Sequence, residues 1–254
     1  MALEPLSVTR HGHLRLTQGT YQCLDQSPLI PLGLSEASAA ALDLPLALRA
    51  TDAGLQLLAV LSLEGEDNAH IGPRGAWLGG GYMPALARVH PLSAVAGSDN
   101  QATVLIDTAS DWLSTTAGQP LFTDSGEPSA ILQRLLDVLQ QQAPHPSREA
   151  AALQPLEALD LLTPWEADWN RYDPPLLALD PQALQDLADA PFLRLRSAGL
   201  LPLVYAQLAS RRRVRWLRQL RRAKDRRAER QAANRPAIQL DDGDNVLSFD
   251  FGED

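Results

Sequence analysis

The stretch Leu46-Ala-Leu-Arg-Ala-Thr-Asp-Ala-Gly-Leu-Gln-Leu-Leu-Ala-Val-Leu-Ser-Leu63 decides the fold class. Two apolar runs, residues 46–50 and 55–63, flank Asp52-Ala-Gly54. Apolar runs joined by a short Asp/Gly turn read as a β-hairpin. The second run is nearly all apolar, yet far shorter than the ~20 residues a membrane span needs.

Outward from this hairpin, residues 13–16 and Thr103-Val-Leu-Ile-Asp107 read as further strands. Ser35 is placed to cap a short alanine-rich helix through Leu42, closed by Pro45. Past Gly126 the period changes. Ile131, Leu132, Leu135, Leu136 and Leu139 recur every three to four residues behind Pro128, a residue suited to a first helical position. Residues 140–147 read as a linker, and Ser147 as the cap of a segment that Pro155 interrupts. Residues 165–175 read as an aromatic, proline-closed loop. Asp180-Pro-Gln is a helix start signal, and Gly199 ends a helix that begins near Pro191. The expectation is an α+β (mixed α/β) fold. Its β-containing first half covers residues 1–125 and its mainly helical second half residues 126–235, in one unit through residue 240. An acidic tail, 241–254, follows.

Composition narrows the class. The 254 residues are 45% hydrophobic and 21% charged, which excludes collagen-like and wholly disordered chains. The single cysteine, Cys23, excludes a disulfide framework and a cysteine-rich zinc site. The start Met1-Ala-Leu-Glu-Pro-Leu-Ser has no basic segment leading into an apolar one, so no signal peptide is read and a cytoplasmic location is expected. Export by a non-classical route is the alternative.

The net charge of −9 conceals a segregation: from Arg211 to Arg230 eleven residues are basic, and only Asp225 and Glu229 are acidic. Good helix formers fill this stretch, and Val214, Leu217 and Leu220 make a narrow apolar stripe from which Trp216 points away. With the apolar run upstream of Ser210, one helix is expected to leave a buried site and emerge into water. The tail, 241–254, holds six acidic residues and no basic one. Leu247, Phe249 and Phe251 alternate with polar residues there, as in a half-buried strand that joins a sheet edge or docks on a partner. The expected contact set is therefore Arg211, Arg212, Arg213, Arg215 and Arg218 with Phe249 and Phe251. A protein partner or self-association is favoured over nucleic acid, which the acidic remainder of the chain repels.

Enzyme signatures are absent. There is no phosphate loop, no G-x-G-x-x-G after a strand and no G-x-S-x-G elbow. His11 and His13 would share a strand face but lack a third metal ligand nearby. Asp107 and Asp111 read as caps sooner than as acid–base groups, Cys23 as a small hydrophobe, and His70 and His90 as isolated. No cofactor, metal or catalytic residue is expected.

Four segments in order carry a family resemblance. Gly75-Ala-Trp-Leu-Gly-Gly-Gly-Tyr-Met-Pro-Ala-Leu-Ala-Arg-Val-His-Pro91 is similar to a G-x-W…Y-(I/M)-P-A…R-x-x-P-F pattern, with Leu92 in place of the final Phe. Ser35-Glu36…Pro45 resembles an S-E-F…Y-P box without its aromatics. Leu121-Phe-Thr-Asp-Ser-Gly-Glu-Pro-Ser129 resembles L-F-x-x-x-G-x-P-S. Asp180…Leu184 with Gly199…Tyr205-Ala-Gln-Leu-Ala-Ser210 resembles the pattern's ending. Together they resemble the bacterial SapC-like family over roughly residues 5 to 220. The resemblance implies a non-enzymatic accessory protein, with a surface-layer-associated protein as an alternative; the family takes its name from a surface-layer gene cluster, and its members are often encoded near outer-membrane receptors and flavin-dependent halogenases. It supplies no catalytic residues. The peptide-transporter permease of the same name is excluded, because no transmembrane helix is read. Within the first box, Trp77, Tyr82 and Arg88 are candidate binding residues for a small carboxylate, since guanidinium pairs with carboxylate in a planar fork. The bland alternative keeps both aromatics in the core and pairs Arg88 with a buried acid such as Asp107.

Overall fold

The computed structural model describes residues 2–63, 67–96, 102–142, 146–165, 169–233, 238–240 and 247–249. In chain order its strands are β1 (Leu3–Pro5), β2 (Arg15–Leu16), β3 (Leu29–Pro31), β4 (Leu46–Thr51), β5 (Gly54–Val60), β6 (Leu92–Ala96), β7 (Ala102–Asp107), β8 (Leu113–Ser114), β9 (Gln119–Pro120), β10 (Leu162–Pro164), β11 (Leu177–Leu179), β12 (Ile238–Leu240) and β13 (Leu247–Phe249). The helices are α1 (Val8–His11), α2 (Ala37–Ala40), α3 (Ala85–Arg88), α4 (Ala130–Gln142), α5 (Pro146–Ala158), α6 (Pro181–Gln185), α7 (Asp189–Ser197), α8 (Leu201–Ser210) and α9 (Arg213–Ala233). Strands dominate the first half and helices the second, an α+β fold.

The hairpin forms as its sequence predicts. β4 and β5 pair antiparallel from Leu46↔Ala59 to Thr51↔Gly54, so Asp52 and Ala53 make the turn. Gly54 has φ +111°, and a Cβ there would come within 2.5 Å of the Ala150 side chain on α5. Glycine is required on both counts. This hairpin is the centre of a five-stranded antiparallel sheet, β10-β11-β4-β5-β3.

Both faces of that sheet are covered, which explains why the second run is almost continuously apolar. Leu55, Leu57, Ala59 and Leu61 enter one core cluster with Ala37, Ala40, Leu153, Leu156 and Leu203 from α2, α5 and α8. Leu58, Val60 and Leu63 enter another with Trp165, Trp169 and the α9 residues Val214, Leu217 and Leu220. Successive strand residues point to opposite faces, so a strand covered twice loses its alternation. A third cluster, around Leu92, Ile106, Leu121 and Leu132, lies with sheet β1-β7-β6 and α4.

Several boundaries differ from expectation. Residues 13–16 contribute only β2, because the turn that closes α1 runs through His13. Ser35 does not cap a helix; its hydroxyl donates to Gln142 Oε1 (2.9 Å), and a 3-10 turn over Leu34–Glu36 leads into α2 instead. Pro128 is paired across a turn with Phe122, and Ser129 sits at the start of α4 with its Oγ accepting from the Leu132 amide. The glutamines read as linker extend α4 through Gln142, as good helix formers do. Ser147 falls inside α5, and Pro155 lies within that helix without ending it, flanked by the fully buried Leu153 and Leu156. The predicted start at Asp180 is present: its carboxylate accepts from the Gln182 and Ala183 amides.

The single helix expected from the apolar run into the basic stretch is two, α8 and α9, with a break at residues 211–212. β13 pairs with β12, Phe249 opposite Ile238, and the main sheet keeps β10 and β3 as its outer strands. Phe251 and the acidic residues of 241–246 and 250–254 lie outside the described residues. Among described residues, no helix is long and apolar enough to cross a membrane.

Candidate functional site

The basic helix is a lid on the second face of the sheet. Val214, Leu217 and Leu220 point inward at three-residue spacing, and Leu217 is almost wholly buried. That spacing leaves the other faces of α9 to charge. Arg212, Arg213, Arg215 and Arg218 are exposed, as is Trp216 at 41%. Arg211, in the break before α9, lies with its guanidinium 5.8 Å from the centre of the Trp165 ring, a cation–π arrangement.

Two cations farther along tie α9 to the first half of the chain. Lys224 Nζ lies 2.6 Å from both Asp25 and Asp67 and donates to the Asn68 carbonyl (2.9 Å). Arg221 pairs with Asp67, and with Asp225 one turn on (2.9 Å). Burial alone would raise the Asp67 carboxyl, but Lys224 and Arg221 outweigh it and hold the group below its ordinary range. Part of the helix charge is thus neutralised within the chain, by acids of the body.

Beside this anchor lies a cavity of about 450 Å³. Ala69, Trp169 and Leu217, all nearly buried, line it together with the exposed Arg171, Arg218 and Arg222. An apolar floor under guanidinium groups suits an anion with an apolar body.

The motif residues build something different. Glu36, only 4% exposed, accepts from the Tyr82 hydroxyl (2.6 Å), the Ala85 amide (2.8 Å) and the Gly33 amide (3.2 Å). One buried carboxylate thereby joins the Ser35-Glu36 box to the Tyr82-Met-Pro-Ala85 box. Asp43 adds an acceptor for the Tyr82 amide (2.8 Å). Burial and the adjoining Glu36 push the Tyr82 hydroxyl up to about 12. Arg88 is exposed, 5.8 Å over the Tyr82 ring. It does not pair with Asp107, whose carboxylate instead accepts from the Ala2 and Ala109 amides. Trp77 stacks on His70, with ring centres 4.9 Å apart, and Trp77 Nε1 and His70 Nε2 are buried without partners. Trp77 therefore faces His70 while Tyr82 and Arg88 face one another, and none of the three lines the cavity under α9.

Gln207 and Ser210 explain the last box. β11 meets β4 at one register pair, Leu177↔Leu48. Where the strands diverge, Gln207 accepts from the Leu179 amide (3.2 Å) and donates to the Leu46 carbonyl (3.0 Å), while Ser210 Oγ accepts from the Leu46 amide (3.0 Å). Buried backbone groups need such partners.

Two isolated residues prove to be neighbours. Cys23 Sγ lies 3.6 Å from both ring nitrogens of His90, and His90 Nε2 is 2.7 Å from Ser110 Oγ. Burial, with Asp107 and Asp111, pushes the thiol up, and burial pushes His90 down. The pair is neutral near pH 7, unlike an activated thiolate. Asp111 Oδ2 accepts from the Thr20 hydroxyl (2.7 Å) and amide (3.0 Å). His11 is buried at the end of α1 with Nδ1 accepting from the Ser7 amide, and the described residues contain no group of three metal ligands.

These boxes, linked through Glu36 and Gln207 into one sheet-and-helix core, define a class of protein by its scaffold. Comparison with protein families matches residues 6–217 to SapC, and the chain belongs to the SapC family. No curated protein and no solved structure matches it.

Proposed function

We propose that this protein is a non-enzymatic interaction protein that binds an acidic protein partner through α9. One observation carries the reading: three inward apolar residues hold α9 against the sheet while Arg212, Arg213 and Arg215 remain exposed beside Trp216. Arginine and tryptophan are favoured at binding hot spots, and a cluster of cations speeds encounter with an acidic surface. The match to the SapC family ends at Leu217, so most of α9 lies beyond it. A carboxylate ligand at Trp77, Tyr82 and Arg88 has less support, since Glu36 occupies the Tyr82 hydroxyl and Arg88 covers its ring.

The test is retention of a host protein on the immobilised full-length chain as salt rises. Wild type is expected to hold an acidic partner at low salt and release it as screening grows. Arg212→Glu/Arg213→Glu/Arg215→Glu is expected to hold none. Equal retention by wild type and this variant contradicts the reading.

A further inference from the structure

We propose that the cavity beside α9 is filled in cis by the chain's own C-terminal segment, Phe249-Asp-Phe-Gly-Glu-Asp254, with Phe251 as its anchor. The proposal rests on reading α9 as a surface for acidic partners and names the first such partner as the tail itself.

Three observations converge on this occupant. The cavity, about 450 Å³, has Ala69, Trp169 and Leu217 at its buried base and Arg171 and Arg222 exposed at its mouth. A phenylalanine ring fits the first set. Carboxylates on either side of it fit the second. In this segment Asp250, Glu253 and Asp254 surround Phe251 with no basic residue between them.

The third observation is reach. α9 runs from the cavity out to Ala233, and at ~1.5 Å per residue the cavity residues Leu217 and Asp225 lie about 24 and 12 Å back from that end. β12 begins five residues past Ala233, at most about 17 Å away on an extended chain. The hairpin then turns the chain round and sets Phe249 opposite Ile238. Two further residues add about 7 Å of extended chain, which puts the cavity within the tail's reach. Arg213, about 30 Å back along the helix, and Arg212 just before it sit at or past the limit of that reach. A tethered segment has an effective concentration in the millimolar range, so even weak intrinsic affinity keeps the site occupied. The tail therefore closes the cavity and leaves the start of α9 open. A partner that needs the cavity has to displace it.

The experiment uses full-length chains and a fluorescein-labelled peptide of residues 241–254, followed by anisotropy. Phe249→Ala/Phe251→Ala empties the cavity and is expected to bind the peptide at least about tenfold more tightly than wild type, whose tethered tail competes. Adding Arg171→Glu/Arg222→Glu to that variant is expected to abolish binding. Equal affinity for the two chains, or binding to neither, overturns the proposal. So does a wild type that sediments as a dimer and becomes monomeric with Phe249→Ala/Phe251→Ala, because the occupant is then a second copy. If peptide binding fails while salt-sensitive partner retention persists, the cis contact falls and the α9 reading stands; loss of both rejects the two together.

Discussion

Glu36 and Lys224 each join segments far apart in sequence, in opposite surroundings. Glu36 is sealed inside, with three donors converging on its carboxylate from Gly33, Tyr82 and Ala85. Lys224 lies at the rim of α9, in contact with Asp25, Asp67 and the Asn68 carbonyl and still reached by water. The first belongs to boxes by which the chain resembles its family; the second lies past Leu217, where the family match ends. A buried charge is costly unless every partner is present, so the segments around Glu36 are bound to one arrangement. A charge at the rim tolerates exchange of partners. The family boxes thus describe a scaffold, and the proposed binding surface lies on the helix laid over it.

Breaking the buried side should have the largest effect. Glu36→Ala strips three donors of their acceptor and is expected to cost about 3 kcal/mol or more, read as the shift in urea midpoint. A loss below about 1 kcal/mol would remove Glu36 from the centre of the scaffold. Leu217→Ala follows at about 2–4 kcal/mol, because this fully packed side chain fastens α9 to the sheet. Hydrogen exchange should rise along α9 and stay unchanged in β4 and β5.

Tyr82→Phe is expected to cost about 1–2 kcal/mol by removing one bond to a buried carboxylate. Its pH dependence sharpens the comparison. With the folded hydroxyl raised to about 12, above its ordinary value near 10, the contribution is complete below pH 10 and is lost as pH rises toward 12. Wild type should therefore weaken relative to Tyr82→Phe across that window. Lys224→Met is the smallest, about 1 kcal/mol, and screened by salt. Asp67 is held below the ordinary carboxylate value, so its pairing contributes above about pH 4 and fades as pH falls further. The difference between wild type and Lys224→Met should shrink in acid; a constant difference would mean that the lysine acts through packing alone.

Local signals were legible where one residue and its near neighbours decide the outcome. The Asp52–Gly54 turn, the Asp180 cap, the glycine after α7 and the Val214–Leu217–Leu220 stripe all follow from sequence. Glu36, Gln207 and the Cys23–His90 contact do not, because each joins residues dozens of positions apart and no local period encodes it. One sign of Glu36 was present: a lone acid entering an alanine-rich apolar segment has to find donors. The near-continuous run 55–63 likewise signalled a strand covered on both faces, and the α9 stripe was the cover for one of them. The facing ends of α4 and α5 were obscured by glutamines and prolines, which serve loops and helix ends alike.

The most direct test compares partner retention from the native host by three full-length chains: wild type, Arg88→Ala and Arg212→Glu/Arg213→Glu/Arg215→Glu. Arg212 in the break before α9, Arg213 and Arg215 on it, and Arg88 are all exposed, so melting temperatures should agree closely. Interaction through α9 predicts that Arg88→Ala keeps the partner and the triple variant loses it. Loss with Arg88→Ala and retention by the triple variant would contradict the account and move the site to the Tyr82 box.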